Sequence, residues 1–189
     1  MTVFDSDDNP LLFLLLLALA AWGAWRFLSQ RESPEERARR LAEEAKQKRE
    51  LEEEREKFTG QSVPPDILRA MRDFRSGHFV GEDRSPLAYV GYRVGKTNGL
   101  AAWDRRRRLQ VCFGIEIPND LPSKYQGWGR PATWQRFNSI RQHLSMLADM
   151  RRHRRNYEHA VADWEEDESW LISEFGELAR RFAKHGYAR

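Results

Sequence analysis

The run "NPLLFLLLLALAAWGAWRFL", residues 9–28, restricts this chain more than any other feature, because it holds no charge before Arg26. Apolar residues at this density suit a bilayer, and within a bilayer a single segment meets all its backbone hydrogen bonds only as a helix. Asn9 fits an N-cap and Pro10 the first helical position. Residues 10–28 are 19 in number, which at about 1.5 Å each gives about 28 Å, close to the roughly 30 Å of hydrocarbon. Arg26 lies within snorkelling reach of the headgroups, and Trp22 and Trp25 suit the interface.

A cleaved signal peptide competes with this reading, since Ala18-Leu19-Ala20 offers a cleavage site. Such peptides begin with basic residues, whereas Asp5, Asp7 and Asp8 precede this run and Arg26, Arg31, Arg37, Arg39 and Arg40 follow it. The expectation is therefore an uncleaved single-pass anchor in the cell membrane (the inner membrane if bacterial). Residues 1–9 form a short tail outside and everything after the span lies in the cytosol. The first partner is the lipid bilayer itself, met through residues 10–28.

Residues 29–58 read as a charged helical stalk. Ser33, Pro34 and Glu36 form a capping box with proline at the first position, and Glu35/Arg39, Glu36/Arg40, Glu44/Lys48 and Glu53/Lys57 pair one turn apart. Leu41, Ala45 and Lys48 begin a heptad seam that runs on into Glu52 and Arg55, so a solvated spacer is favoured over a homodimeric coiled coil. The turn-rich "TGQSVPP" at 59–65 marks the start of a cytosolic domain, residues 59–189.

Within that domain Ile67, Leu68, Met71 and Phe74 mark one helix face, ended by Gly77. Ser85-Pro86 opens a second helix running to Gly95, and Thr97 or Asn98 caps a third through "GLAAWDRRRRLQVCF", with Leu100, Trp103, Leu109, Cys112 and Phe113 facing in. The prolines and glycines of 114–131 give a long connection. Trp134, Phe137, Ile140, Leu144 and Leu147, then Tyr157, Val161, Trp164, Leu171 and Phe175, predict a long two-helix element. The fold class is all-α, with "QVCFGIEI" the only stretch open to a strand reading.

"GYRVGKT" at 91–97 ends as a phosphate-binding loop ends, but only three residues separate Gly91 from Gly95 where that loop needs four. No strand is expected before it, so Gly95 reads as a helix terminator and nucleotide binding is not expected. His159, Asp163 and Asp167 follow one another at four-residue steps and read as the solvated side of an amphipathic helix. His143, His153 and His185 show no metal-ligand spacing, and Asp120 with Lys124 lacks the strands a nuclease site requires. The lone Cys112 excludes an internal disulfide, fits a reducing compartment, and sits beside Phe113 as a packing residue. No catalytic residue, metal or cofactor is assigned.

Charge is the remaining signal. The net charge is only +3, yet residues 59–155 carry eighteen bases against eight acids. Arg105, Arg106, Arg107 and Arg108 are consecutive and wrap most of a helix, so they cannot all point inward. Arg151, Arg152, Arg154 and Arg155 form a second cluster around His153 at a helix end, and Lys96 adds a further cation. Two readings stand for these residues: solvated patches that complement helix dipoles and pair with the acidic run 163–168, or the candidate surface for a polyanion, either nucleic acid or anionic lipid. Trp103, Trp128 and Trp134 lie near them in sequence; an exposed one would stack on bases, but at least two sit in apolar periodicities, which favours the core. The alternatives are a subunit of a membrane complex whose arginines meet an acidic protein, and an enzyme of unassigned type.

In order along the chain, "GYRVGKTNGL", "RRRRLQVCF", "LP", "WGRPATWQRF" and "ADWEEDESWL" resemble a recurring bacterial module covering roughly residues 85–175. No activity comes with that resemblance and no functional residue is carried over from it. It implies that the glycines and arginines belong to one domain's own architecture.

Overall fold

Proline and serine set the starts of several helices. The computed structural model describes residues 32–77 and 84–187, together with the isolated helical positions Leu19 and Trp22. The described chain is all-α, in the order α1 (Pro34–Thr59), α2 (Pro65–Arg75), α3 (Pro86–Tyr89), α4 (Ala102–Gly114), a 3-10 helix (Ser123–Trp128), α5 (Trp134–Arg151) and α6 (Glu158–Lys184). Among the described residues no helix is long and apolar enough to cross a membrane. The expected span at 10–28 lies outside them apart from Leu19 and Trp22, as does the tail at 1–9.

The Ser33 hydroxyl accepts from the Glu36 N–H at 3.1 Å while the Glu36 carboxylate accepts from the Ser33 N–H at 2.9 Å. This reciprocal capping box starts α1. Ser85 accepts from the Ala88 N–H and Thr133 from the Arg136 N–H, opening α3 and α5 in the same way.

Three expectations are corrected. "QVCFGIEI" forms no strand, because α4 runs through Gly114 before the chain extends. The helix after Ser85 ends at Tyr89, and Gly91, well before Gly95, turns the chain: φ there is +73°, and an added Cβ would lie 2.6 Å from that of Ala70 and 2.9 Å from Arg108 Nη1. Neither Thr97 nor Asn98 caps α4, whose N-cap is Ala101 without a side-chain bond.

The chain divides into two compact units, residues 1–47 and 48–189. In the first, Leu41 is half-exposed at 51%. The second begins inside α1, earlier than the expected boundary at 59. Leu51 is buried there, and the Phe58 ring meets those of Phe113 and Phe175 edge-on at 5.9 and 5.6 Å. Gly114 permits this approach, since a Cβ on it would lie 2.5 Å from the Phe58 carbonyl oxygen.

The longest packing surface of this unit is between α5 and α6. They run antiparallel: Arg152 pairs with Glu165 near the turn that joins them, and the Trp134 N–H donates to the Tyr187 carbonyl at the other end. Phe137, Ile140, Leu144 and Ala148 on α5 and Val161, Trp164, Leu171, Phe175, Ala179 and Phe182 on α6 are buried. The 3.6-residue period places them on facing stripes.

Candidate functional site

The buried face of α4 is Arg105, Arg108, Leu109, Cys112 and Phe113, two arginines continuing an apolar stripe. Arg105 is 4% exposed. Its Nε donates to Asp167 at 2.6 Å, Nη2 to Glu166 at 3.1 Å and Nη1 to the Leu100 carbonyl at 3.0 Å, with Asp163 3.1 Å from Nη1. Asp167 lies between Trp164 and Leu171 in the apolar register of α6 and is fully buried. It also accepts the Tyr92 hydroxyl at 2.7 Å. Asp163 accepts the Gly95 N–H at 2.8 Å, so the "GKT" loop offers that amide to a carboxylate of its own domain.

These contacts set the ionisation of the cluster. Burial raises the Asp167 carboxyl above its ordinary value, against the pull of Arg105 and Tyr92. Burial, and next the charge of Asp167, push the Tyr92 phenol well up. Burial works against the Arg105 guanidinium, but the bond to Asp167 and the charges of Asp167 and Asp163 raise it.

Arg108 faces the other side. It donates to the Val90 carbonyl at 2.7 Å and to Asp66 at 2.9 Å, tying α4 to α3 and α2. Arg107 reaches the same Asp66 carboxylate at 2.6 Å and Asp104 at 3.1 Å, and lies over the Trp103 ring. Arg106 donates to Glu166 at 2.7 Å.

A third buried arginine escaped the sequence reading. Arg136 is 1% exposed and donates to four backbone carbonyls, of Trp128, Gly129, Cys112 and Ile115. It satisfies the C-terminal end of α4 and pins the 115–131 connection against it. Burial lowers its pKa from the ordinary arginine value.

Two of the nine candidate surface cations are thus interior. Arg105 and Arg108 are withdrawn from the polyanion surface, because their guanidinium groups are buried and bond to carboxylates and carbonyls of the domain. Arg106, Arg107 and Arg152 are at the surface but ion-paired, Arg152 with Glu165 at 2.6 Å and Asp149 at 3.1 Å. Arg151 lies over the Tyr157 ring. Lys96, Arg154 and Arg155 are exposed and make no ion pair among the described residues. The run 163–168 is correspondingly not a free solvated face, since Asp163, Glu165, Glu166, Asp167 and Glu168 all pair with arginines.

The loop carrying Lys96 sits at the α5–α6 turn end of the domain. Gly95 bonds Asp163, and a Cβ on Gly95 would lie 3.6 Å from that of Ala160 in the first turn of α6. Arg93, also exposed, precedes it. The structure therefore brings Arg93 and Lys96 to the same end as Arg154 and Arg155. The inward expectation for Trp103 fails, as it is 67% exposed, while Trp128 is buried and Trp134 stacks on Phe137.

Among the described residues no group of three or more His, Cys, Asp or Glu is arranged to hold a metal ion. The Cys112 thiol is pushed up to about 12 by burial, so it is a packing group and a poor nucleophile. Comparisons with protein-family models, with curated proteins and with solved structures give no match. What this arrangement can do is read from its side chains.

Proposed function

We propose that the chain is a single-pass membrane protein whose helical cytosolic domain presents a basic end to a phosphate-bearing polyanion and is not catalytic. One observation carries the reading: Arg93 and Lys96 from the loop and Arg154 and Arg155 from the α5–α6 turn share an end of the domain without internal carboxylate partners. Unpaired surface cations in one place are the footprint of phosphate binding.

Nucleic acid is favoured over the headgroups of the anchoring bilayer. The chain enters the domain along α1 beside the last turns of α6, where Glu54 meets Arg181 at 3.4 Å. The basic turn is at the opposite end of a 27-residue helix, about 40 Å long. Residues 10–28 are the anchor in this reading. Leu19 and Trp22 are helical and exposed, as lipid-facing side chains are. The N-terminal part of α1 is the spacer, and the half-exposed Leu41 allows it a weak homodimeric seam.

A second reading has its own support. Met146 and Met150 are exposed on α5 at 44% and 56%, and methionine suits adaptable protein contacts. A membrane-complex subunit binding an acidic protein through this side would co-purify with that protein in detergent. Charge reversal of Arg154 and Arg155 would release it.

The polyanion reading is tested with the full chain in nonionic detergent, titrated with labelled DNA, RNA and anionic liposomes across salt. Salt-dependent binding is expected, with Lys96→Ala, Arg154→Ala and Arg155→Ala together lowering the log–log salt slope by about 2 to 3. Absence of binding to every polyanion at low salt removes the proposal.

A further inference from the structure

Trp103 is the most exposed of the large apolar side chains among the described residues. An indole left in water forgoes a large burial gain, so its position calls for a reason. It sits in the first turn of α4, on the side away from Arg105 and α6, with the Arg107 guanidinium 5.5 Å from its ring centroid. Arg107 is held in turn by Asp66 and Asp104, which fixes the cation beside the ring.

The preceding loop carries two exposed cations, Arg93 and Lys96. It closes on itself through Gly99 N–H to the Gly95 carbonyl at 2.9 Å and Leu100 N–H to the Arg93 carbonyl at 3.1 Å. Arg93 is thereby a backbone neighbour of Leu100, three residues before Trp103. Arg93 and Lys96 are thus exposed cations on the loop that leads into the helix bearing this open aromatic surface. Phosphates follow cations, and flat unpaired bases follow aromatic rings. A duplex keeps its bases stacked on one another and has none to offer.

We propose that Trp103 is a stacking platform for an unpaired base, and that the polyanion received at the basic end is single-stranded nucleic acid. This rests on the polyanion reading above, and the test separates the two. Full-length chain in detergent is titrated with fluorescein-labelled oligo(dT), a duplex of equal length, inorganic polyphosphate and phosphatidylserine vesicles. Oligo(dT) binds more tightly than duplex, and Trp103→Ala weakens oligo(dT) by about 5- to 150-fold while polyphosphate affinity holds. Trp103→Phe retains most of the affinity, and loses the share of tryptophan quenching that oligo(dT) causes in the unsubstituted chain. That conservative variant carries the test if the alanine variant does not fold.

Equal oligo(dT) affinity in Trp103→Ala, with binding otherwise intact, overturns the stacking role and leaves the polyanion reading standing. Binding to vesicles alone overturns it as well. Binding to none of the four probes at low salt removes both.

Discussion

Residues 105–108 and residues 151, 152, 154 and 155 each supply four arginines, and the two groups are put to different uses. The first lies on a helix whose inner stripe passes through two of its members, so Arg105 and Arg108 become interior struts. The second lies where α5 ends and the chain turns through Asn156 at φ +72°, so no stripe draws those side chains inward. Register decides the difference, and charge content does not. A guanidinium enters a core when it continues an apolar face and finds fixed acceptors on the neighbouring helix.

The sharpest way to break this comparison is Arg105→Ala. It leaves the fully buried Asp167 with the Tyr92 hydroxyl and an Arg106 guanidinium no nearer than 3.9 Å, and should destabilise the domain by about 3–5 kcal/mol in urea unfolding. A double-mutant cycle with Asp167→Ala should return most of that as coupling. A loss below about 0.5 kcal/mol would place Arg105 with the surface arginines instead.

Next is Arg136→Met, which keeps the volume but leaves four carbonyls without their shared donor. The expected loss is about 3 kcal/mol, with the 115–131 connection gaining protease sensitivity. Unchanged cleavage there would show that the connection does not depend on Arg136.

Cys112, between the two arginine struts and Phe113, supplies a pH test of how closed that face is. The folded thiol is held protonated up to about 12, while the unfolded thiol ionises near its ordinary value of about 8.5. The folded state therefore binds the extra proton, and its stability falls as pH rises through that window, by at most about 1.4 kcal/mol per unit. The raised Tyr92 phenol steepens the fall above about pH 10. Urea midpoints at pH 8 and pH 10 check the sign. Alkylation of Cys112 should require unfolding.

The smallest effect belongs to the second cluster. Arg154→Ala with Arg155→Ala should change stability by no more than about 0.5 kcal/mol, and act only on ligand binding and its salt dependence. A large loss of stability would mean that the turn is structural too.

Much of the fold is legible in the sequence wherever apolar residues repeat at three and four. The α5 and α6 stripes, the Ser33–Glu36 box and the break after Thr59 all follow from local chemistry. The interior arginines escape a search made on apolar residues alone, although the signal is present. Stepping back from Leu109, Cys112 and Phe113 by one turn lands on Arg105 and Arg108, and stepping from Trp164 to Leu171 passes Asp167. Trp103 misleads in the opposite direction, an aromatic residue off the stripe by its spacing yet counted inward for its apolarity. The N-terminal limit of the domain stays hidden because Leu51 and Phe58 are thinly scattered among charges, and the rings that Phe58 packs on, in α4 and α6, lie far along the chain.

The closure of the domain by its own ends bears on how it is made. The Tyr187 hydroxyl bonds to Glu52, its ring lies under Arg55, and its carbonyl receives the Trp134 amide, so residues 135 positions apart in the sequence close one seam. A nascent chain cannot complete this seam until Tyr187 has left the ribosome. In the membrane-anchored reading, the apolar segment emerges and is committed to the bilayer well before the core can close. Insertion then precedes folding, and a chain cut short by premature termination would reach the membrane without ever assembling the surface it carries there.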